Sequence, residues 1–163
     1  MQNRTFPDVS LTFVAFFTGL GYINKEESME KAEWSEDDCR KMIVGIGLDL
    51  IETARVGRSI KHPGFLRKVY TPSEQQYISD RNQSAQTAAG IFAAKEAVSK
   101  ALGTGFGYAR WLDVEILRDD LGKPYAVLTG SALERMQAIG GKNVLISITH
   151  IRDLAAAQAV IDS

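Results

Sequence analysis

The chain has 163 residues, 45% of them hydrophobic, with a single cysteine and a formal net charge of -1. That length supports one domain with an appendage and enough apolar residues to bury a core. Cys39 alone excludes an intramolecular disulfide framework and offers no metal-binding spacing, which fits a reducing compartment.

The near-neutral total hides an uneven split. Residues 1–41 carry five Lys/Arg against eight Asp/Glu, and the remainder 14 against 12, so the body is mildly basic. Leu11 to Ile23 is apolar, but its 13 residues fall short of the ~20 a membrane-spanning helix needs. Arg4 is the sole basic residue ahead of it, Asp8 offsets it and no small-x-small cleavage site follows, which argues against a secretory signal. Lys25 to Lys41 then packs eleven charges into seventeen residues with almost no apolar periodicity. Residues 1–41 are expected to be a poorly packed leader, although Phe6, Phe13, Phe16 and Phe17 leave a partner-binding or membrane-surface role open.

Met42 to Ile51 alternates as a strand, with Val44, Ile46, Leu48 and Leu50 on one face and Gly45, Gly47 and Asp49 on the other. Two glycines strip that second face where something must approach the backbone closely, leaving Asp49 as its only functional group. Asp49 is either that functional group or a cap for the helix that follows, in whose first turn Glu52 falls. From Glu52 to Lys68 the chain is basic, with Arg55, Arg58, Lys61, Arg67 and Lys68, and His62-Pro63-Gly64 interrupts it. Such a surface suits an acidic partner or is an ordinary solvated face.

Thr71-Pro72-Ser73-Glu74 is a helix start, with Thr at the cap, Pro at the first position and Glu at the third; the helix is expected to reach about Arg81. Asn82 to Thr87 reads as a polar joint. Gly90 to Ala101 reads as a helix whose apolar stripe is Ile91, Ala94, Val98, Ala101 and Leu102. Glu96 and Lys100 point together from the opposite side, and Lys95 lies at the edge of the stripe. Gly103-Thr104-Gly105-Phe106-Gly107 ends this helix, either as a plain C-cap and loop or as a turn whose N–H groups reach a phosphate.

Leu112 to Arg118 and Pro124 to Leu128 form a hairpin across Asp119 to Lys123. Ser131 with Glu134 reads as a second capping box, opening a short helix that stops at Gly140-Gly141. Val144, Ile146 and Ile148 form one face of a strand that shows Ser147 and Thr149 on the other and His150 at its end. Ala155 to Ile161 is ambiguous: its alanines favour helix, whereas the short link before it and Val160-Ile161 favour a returning strand.

One carboxylate on a glycine-stripped strand, one on a helix, a lysine one turn further on and a glycine loop beside it form a constellation. Two carboxylates and a phosphate-bearing substrate are a common way to hold Mg²⁺, and Lys100 with the loop amides would neutralise phosphate. That points to phosphoryl-group chemistry.

Several motifs stand in a recognisable order: G-I-G-L-D-L-I-E at 45–52, T-P-S-E at 71–74, F-A-A-K-E-A-V-S-K-A-L-G-T-G at 92–105, G-K-P at 122–124 and S-I-T-H at 147–150. From Met42 onward the chain resembles the holo-[acyl-carrier-protein] synthases, the short bacterial 4'-phosphopantetheinyl transferases. The resemblance implies transfer of phosphopantetheine from coenzyme A to a serine of apo acyl carrier protein for fatty acid biosynthesis, releasing adenosine 3',5'-bisphosphate. Asp49 and Glu96 would ligate Mg²⁺, and Lys100 would contact a coenzyme A phosphate. Gly103, Gly105, Pro124, Ser147, Thr149 and His150 would line the nucleotide site. Arg55, Arg58, Phe65, Arg67 and Lys68 would meet the acidic recognition helix of the carrier protein. It further implies an α+β fold with helices on a small, mainly antiparallel sheet, a cytoplasmic homotrimer with active sites between subunits, and neither a nucleic-acid partner nor a membrane span. Ile51 stands where longer members of the superfamily carry a third carboxylate, so a water is expected there. The family pattern begins at Met42, so residues 1–41 lack a counterpart; an upstream start read in error or an added leader is the expected explanation.

Overall fold

The computed structural model describes residues 42–163; the expected leader, its apolar run and Cys39 lie outside the described residues. The chain enters as strand β1 (Ile43–Glu52) and runs through helices α1 (Thr53–Ser59), α2 (Pro63–Val69), α3 (Pro72–Asp80) and α4 (Ala85–Ala101). Single 3₁₀ turns follow at Gly105–Gly107 and Trp111–Asp113. Strands β2 (Val114–Arg118) and β3 (Pro124–Leu128), helix α5 (Gly130–Ala138) and strands β4 (Asn143–His150) and β5 (Leu154–Asp162) complete the fold. The sheet is antiparallel in the order β1-β5-β4, and β2 and β3 form a separate antiparallel hairpin. This is the expected α+β class. Among the described residues no helix is long and apolar enough to cross a membrane.

Sequence position 155–161 is therefore strand, and it is the central one. Helix propensity in its alanines is overridden by packing. Ala155, Ala157 and Ala159 are buried, and in register with them on β1 stand Ile51, Asp49 and Gly47. Small residues on this face let α4 approach, and α4 answers with Ala97 and Ala101. A methyl built on Gly47 would overlap the Ala97 carbonyl oxygen and come within 2.7 Å of the Ala101 nitrogen; one on Gly45 would strike Ala101 in the same way. What approaches the glycine face so closely is the fold's own central helix.

On the opposite face of the sheet the β1 strand is apolar and bare. Ile46, Leu48 and Leu50 on β1 are 63%, 65% and 64% exposed, and Leu145 on β4 joins them. One-sided antiparallel sheets ordinarily turn polar residues outward, so an apolar outer face of this kind marks a contact surface.

Helix α4 begins five residues before the expected Gly90. Ser84 accepts a hydrogen bond from the Thr87 N–H (3.3 Å), so part of the expected polar joint is its cap and first turn. Asn82 and Gln83 form the preceding turn with φ of 55° and 52°. The Thr71 capping box forms as expected, with Thr71 N donating to Glu74 Oε2 at 2.8 Å and α3 ending at Asp80. Glu52 is the N-cap of α1 rather than a first-turn residue. The Ser131–Glu134 box does not form. Instead, Asp113 reaches the start of α5 from the preceding turn: its Oδ2 accepts from Ser131 Oγ (2.7 Å) and Ser131 N (3.2 Å). At the hairpin tip Asp119 Oδ1 accepts from the N–H groups of Leu121 and Lys123, and Gly122 takes a φ of 83°.

Candidate active site

Helix α4 is buried well beyond the expected apolar stripe, its buried positions including Ala93, Lys95, Ala97 and Ser99. Beyond its first turn the positions that open outward are Phe92, Glu96 and Lys100, one turn apart along a single strip. Asp49 projects from the glycine face of β1 toward that strip. Lys100 Nζ donates to Asp49 Oδ1 and to the Leu48 carbonyl, each at 2.9 Å. Lysine 100 thus pairs with the strand carboxylate rather than with Glu96 on its own helix, and Asp49 caps nothing. Asp49, Glu96, Lys100, Arg55, Phe65 and Phe92 line one cleft of about 320 Å³. Burial, reinforced by the Asp49 charge, pushes the Glu96 carboxyl above the usual carboxylate range, and Lys100 partly offsets this.

Two carboxylates that repel each other across a half-open cleft suit a small divalent cation. Among the described residues no three metal-ligating side chains converge, so the chain would supply two ligands and leave the others to water and substrate oxygens. Mg²⁺ accepts that arrangement readily because it gives up its waters reluctantly. With Arg55 and Lys100 nearby to neutralise phosphate, the cleft is equipped for phosphoryl transfer.

The remaining candidate residues are dispersed. Gly103 (φ 71°) closes α4, its N–H donating to the Lys100 carbonyl, and Gly105 has φ of 60°; both lie outside the cleft's lining. Pro124 opens β3. Ser147 and Thr149 point to the outer, exposed face of β4. His150 lines a separate hollow of about 310 Å³ with Tyr77, Arg81, Gln86 and Arg118. Arg81 and Arg118 both lie over the Tyr77 ring, at 4.5 and 5.5 Å from its centroid, so this hollow carries two cations that the sequence reading missed. The i,i+4 spacing of Tyr77 and Arg81 was the available signal. Of the basic arm, Arg55 and Phe65 enter the carboxylate cleft, while Arg58, Arg67 and Lys68 are exposed outside it.

Lys95 is not at the edge of the apolar stripe but wholly buried. Its ammonium meets Glu74 Oε2 at 2.8 Å, the Val69 carbonyl at 2.8 Å and the Trp111 carbonyl at 2.9 Å. Glu74 Oε1 in turn accepts from the Ile116 N–H at 2.8 Å. Burial pushes the Glu74 carboxyl up and the Lys95 ammonium down, and each is held against that drift chiefly by the other's charge. Tyr70, Phe65, Phe92 and Trp111 form a continuous row of rings, with the Phe92–Trp111 centroids 4.8 Å apart.

A small α+β protein that draws a strand aspartate, a helix glutamate, a lysine and an arginine into one cleft has the charge arrangement of a phosphoryl-group transferase. Residues 45–157 match the family model of the 4'-phosphopantetheinyl transferase superfamily. A holo-[acyl-carrier-protein] synthase of Alkaliphilus oremlandii is 46% identical over 120 residues, covering 73% of this chain and 98% of that protein. One from Fusobacterium nucleatum is likewise 46% identical over 122 residues, covering 74% and 99%. Among solved structures, a Bacillus anthracis holo-(acyl-carrier-protein) synthase in complex with CoA (3',5'-ADP) aligns with a TM-score of 0.64 at 36% identity, covering 75% of this chain and 98% of its own. That of Helicobacter pylori, in complex with coenzyme A, aligns with a TM-score of 0.63 at 32% identity, covering 71% and 98%. The chain belongs to the holo-[acyl-carrier-protein] synthase family of 4'-phosphopantetheinyl transferases.

Proposed function

We propose that this chain, acting through residues 42–163 in the cytoplasm, transfers 4'-phosphopantetheine from coenzyme A to a serine hydroxyl of apo acyl carrier protein. The observation that carries this reading is the convergence of Asp49, Glu96 and Lys100 with Arg55 and Phe65 in one cleft, in a chain whose relatives bear that activity in their names.

In the reaction the serine oxygen bonds to the β-phosphorus of coenzyme A, the pyrophosphate P–O bond to the nucleotide breaks, and adenosine 3',5'-bisphosphate leaves. Asp49 and Glu96 would hold Mg²⁺, which when bound neutralises charge on the pyrophosphate. Lys100 exchanges part of its Asp49 contact for the charge growing on the leaving phosphate. Glu96, whose carboxyl is raised in proton affinity by burial, is the proposed acceptor for the serine proton through an intervening water. Arg55 faces the same cleft and draws in the acidic carrier, with Arg58, Arg67 and Lys68 extending the basic surface. Gly103, Gly105, Pro124, Ser147, Thr149 and His150 are proposed nucleotide contacts, with Arg81 and Arg118 added to them as phosphate partners beside His150.

The proposed assembly is a homotrimer. Its support is the bare apolar face of Ile46, Leu48, Leu50 and Leu145, together with the separation of the His150 hollow from the carboxylate cleft, since the two share no lining residue. A site shared between subunits would bring such hollows together.

Incubation with coenzyme A, Mg²⁺ and an apo carrier protein, followed by mass spectrometry of the carrier, tests the function. The phosphopantetheine mass increment is expected, and its absence overturns the reading. Glu96→Ala should lose the increment while keeping the wild-type circular dichroism spectrum.

A further inference from the structure

The residue least used by the proposed chemistry is the one the fold has gone furthest to enclose. Lys95 has an exposed side chain neither in the cleft nor anywhere on the surface, its relative exposure being 0%. A lysine has three N–H donors, and here each has an acceptor: one carboxylate and two main-chain carbonyls. Charge balance in the core needs only Glu74. The two carbonyls require a separate account.

Each carbonyl belongs to a segment that carries part of the cleft. Val69 is the last residue of α2, a helix of seven residues that also carries Phe65, Arg67 and Lys68. Trp111 opens the 3₁₀ turn whose indole packs on Phe92. Phe92 in turn packs on Phe65, with centroids 6.3 Å apart, and both rings line the cleft beside Glu96. A seven-residue helix has little stability of its own, so its position is set by what it is tied to. Lys95 ties both flanks of the aromatic wall to α4 at the residue immediately before Glu96.

We propose that Lys95 is a positioning residue. From inside the core its ammonium holds α2 and the Trp111 turn against α4, and so sets the distance between the Phe65–Phe92 wall, where the carrier protein docks, and the Glu96 carboxylate. This rests on the transferase reading above. It assigns Lys95 no contact with substrate and places its effect on the carrier rather than on coenzyme A.

The test separates this role from charge balance. Lys95→Met alone strands a buried carboxylate and tests folding, so the informative variant is the pair Glu74→Gln with Lys95→Met, which is neutral and of similar volume. The double variant is expected to raise KM for the carrier protein about tenfold while kcat and KM for coenzyme A stay within about twofold, the pattern of lost docking rather than lost chemistry. Glu74→Gln alone keeps both carbonyl contacts and should lose stability with a near wild-type carrier KM. A carrier KM unchanged in the double variant, or raised equally by Glu74→Gln, overturns the proposal. Hydrogen exchange on the wild-type chain gives a reading that needs neither activity nor a variant: α2 amides should exchange as slowly as those of α4, and exchange at the rate of an exposed loop overturns it as well. A wild-type chain that modifies no carrier would instead remove the transferase reading, leaving the exchange result to judge Lys95.

Discussion

Gly47→Ala adds one methyl group to a strand, a change that elsewhere tends to stabilise by about 0.4–1 kcal/mol because it restricts the unfolded chain. At this position the methyl would overlap the Ala97 carbonyl oxygen and sit 2.7 Å from the Ala101 nitrogen, where ordinary contact begins at 3.4 Å. Both neighbours are helix backbone, which has no rotamer by which to escape. Helix α4 must therefore withdraw from β1 by at least the 0.7 Å between 2.7 and 3.4 Å, loosening its seat on Ala157 and Ala159 as well. Overpacking of this kind costs typically 1–3 kcal/mol, and a clash with backbone belongs at the upper end. Urea unfolding should show a loss of about 3 kcal/mol, equivalent to roughly 10 °C in Tm for a folded unit of this size. Because Asp49 and Glu96 sit on the two separated elements, the rate of carrier modification should fall about a hundredfold in the fraction that remains folded. Gly64→Ala is the control: nothing lies within 4 Å of the added methyl, and the site is helical, so it should be neutral or stabilising. A Gly47→Ala protein with wild-type midpoint and rate would refute the close-packed account of the glycine face.

Glu96→Gln should reduce carrier modification by a factor of a hundred or so, comparable with removal of other charge-stabilising groups, yet raise stability by about 0.5 kcal/mol at neutral pH, the screened scale for a partly exposed charge. Its carboxyl binds protons more tightly folded than unfolded, so the wild-type contribution is present at acid pH and lost as pH rises through the raised value; the advantage of the variant should appear over that rise, read as urea midpoints against pH. Asp113→Ala removes the oxygen that caps α5 and should cost about 1 kcal/mol in the same assay, with no change refuting the cap. Leu48→Glu, on the bare outer face of β1, should convert the proposed homotrimer to monomers in sedimentation experiments while leaving the circular dichroism spectrum intact; a variant that sediments as the wild type does would refute that interface.

What could be read from the sequence follows the reach of each interaction. The Thr71–Glu74 box spans three residues, and every group it needs is in view. The similar Ser131–Glu134 pattern fails because Asp113, eighteen positions away, offers Ser131 a better acceptor. The alanines of β5 mislead for a related reason: they are small because α4 lies on them, and propensity carries no record of what lies above a strand. Asp49, Glu96 and Lys100 were legible as a group because one glycine face and one helix spacing point them together. Lys95 was not, since its carbonyl contact at Val69 lies 26 residues away and a buried lysine looks like a surface one until its surroundings are known.

The glycine face and the cleft are one device. Aspartate is a short side chain, and for Asp49 to reach Lys100 on a helix, strand and helix backbones must lie closer than ordinary side chains permit. Gly45 and Gly47 with Ala97 and Ala101 supply that closeness, so residues outside the cleft's lining fix the separation of Asp49 from Glu96 and Lys100 within it. The same helix then divides its sequence between inside and outside at adjacent positions. Lys95 turns into the core and anchors the wall, whereas Glu96 turns into the cleft. A rotation of α4 large enough to improve one contact would spoil the other, because the two side chains project about 100° apart on one rigid cylinder. The geometry of the site is therefore over-determined from both sides of the helix, as a centre that must hold two like charges together requires.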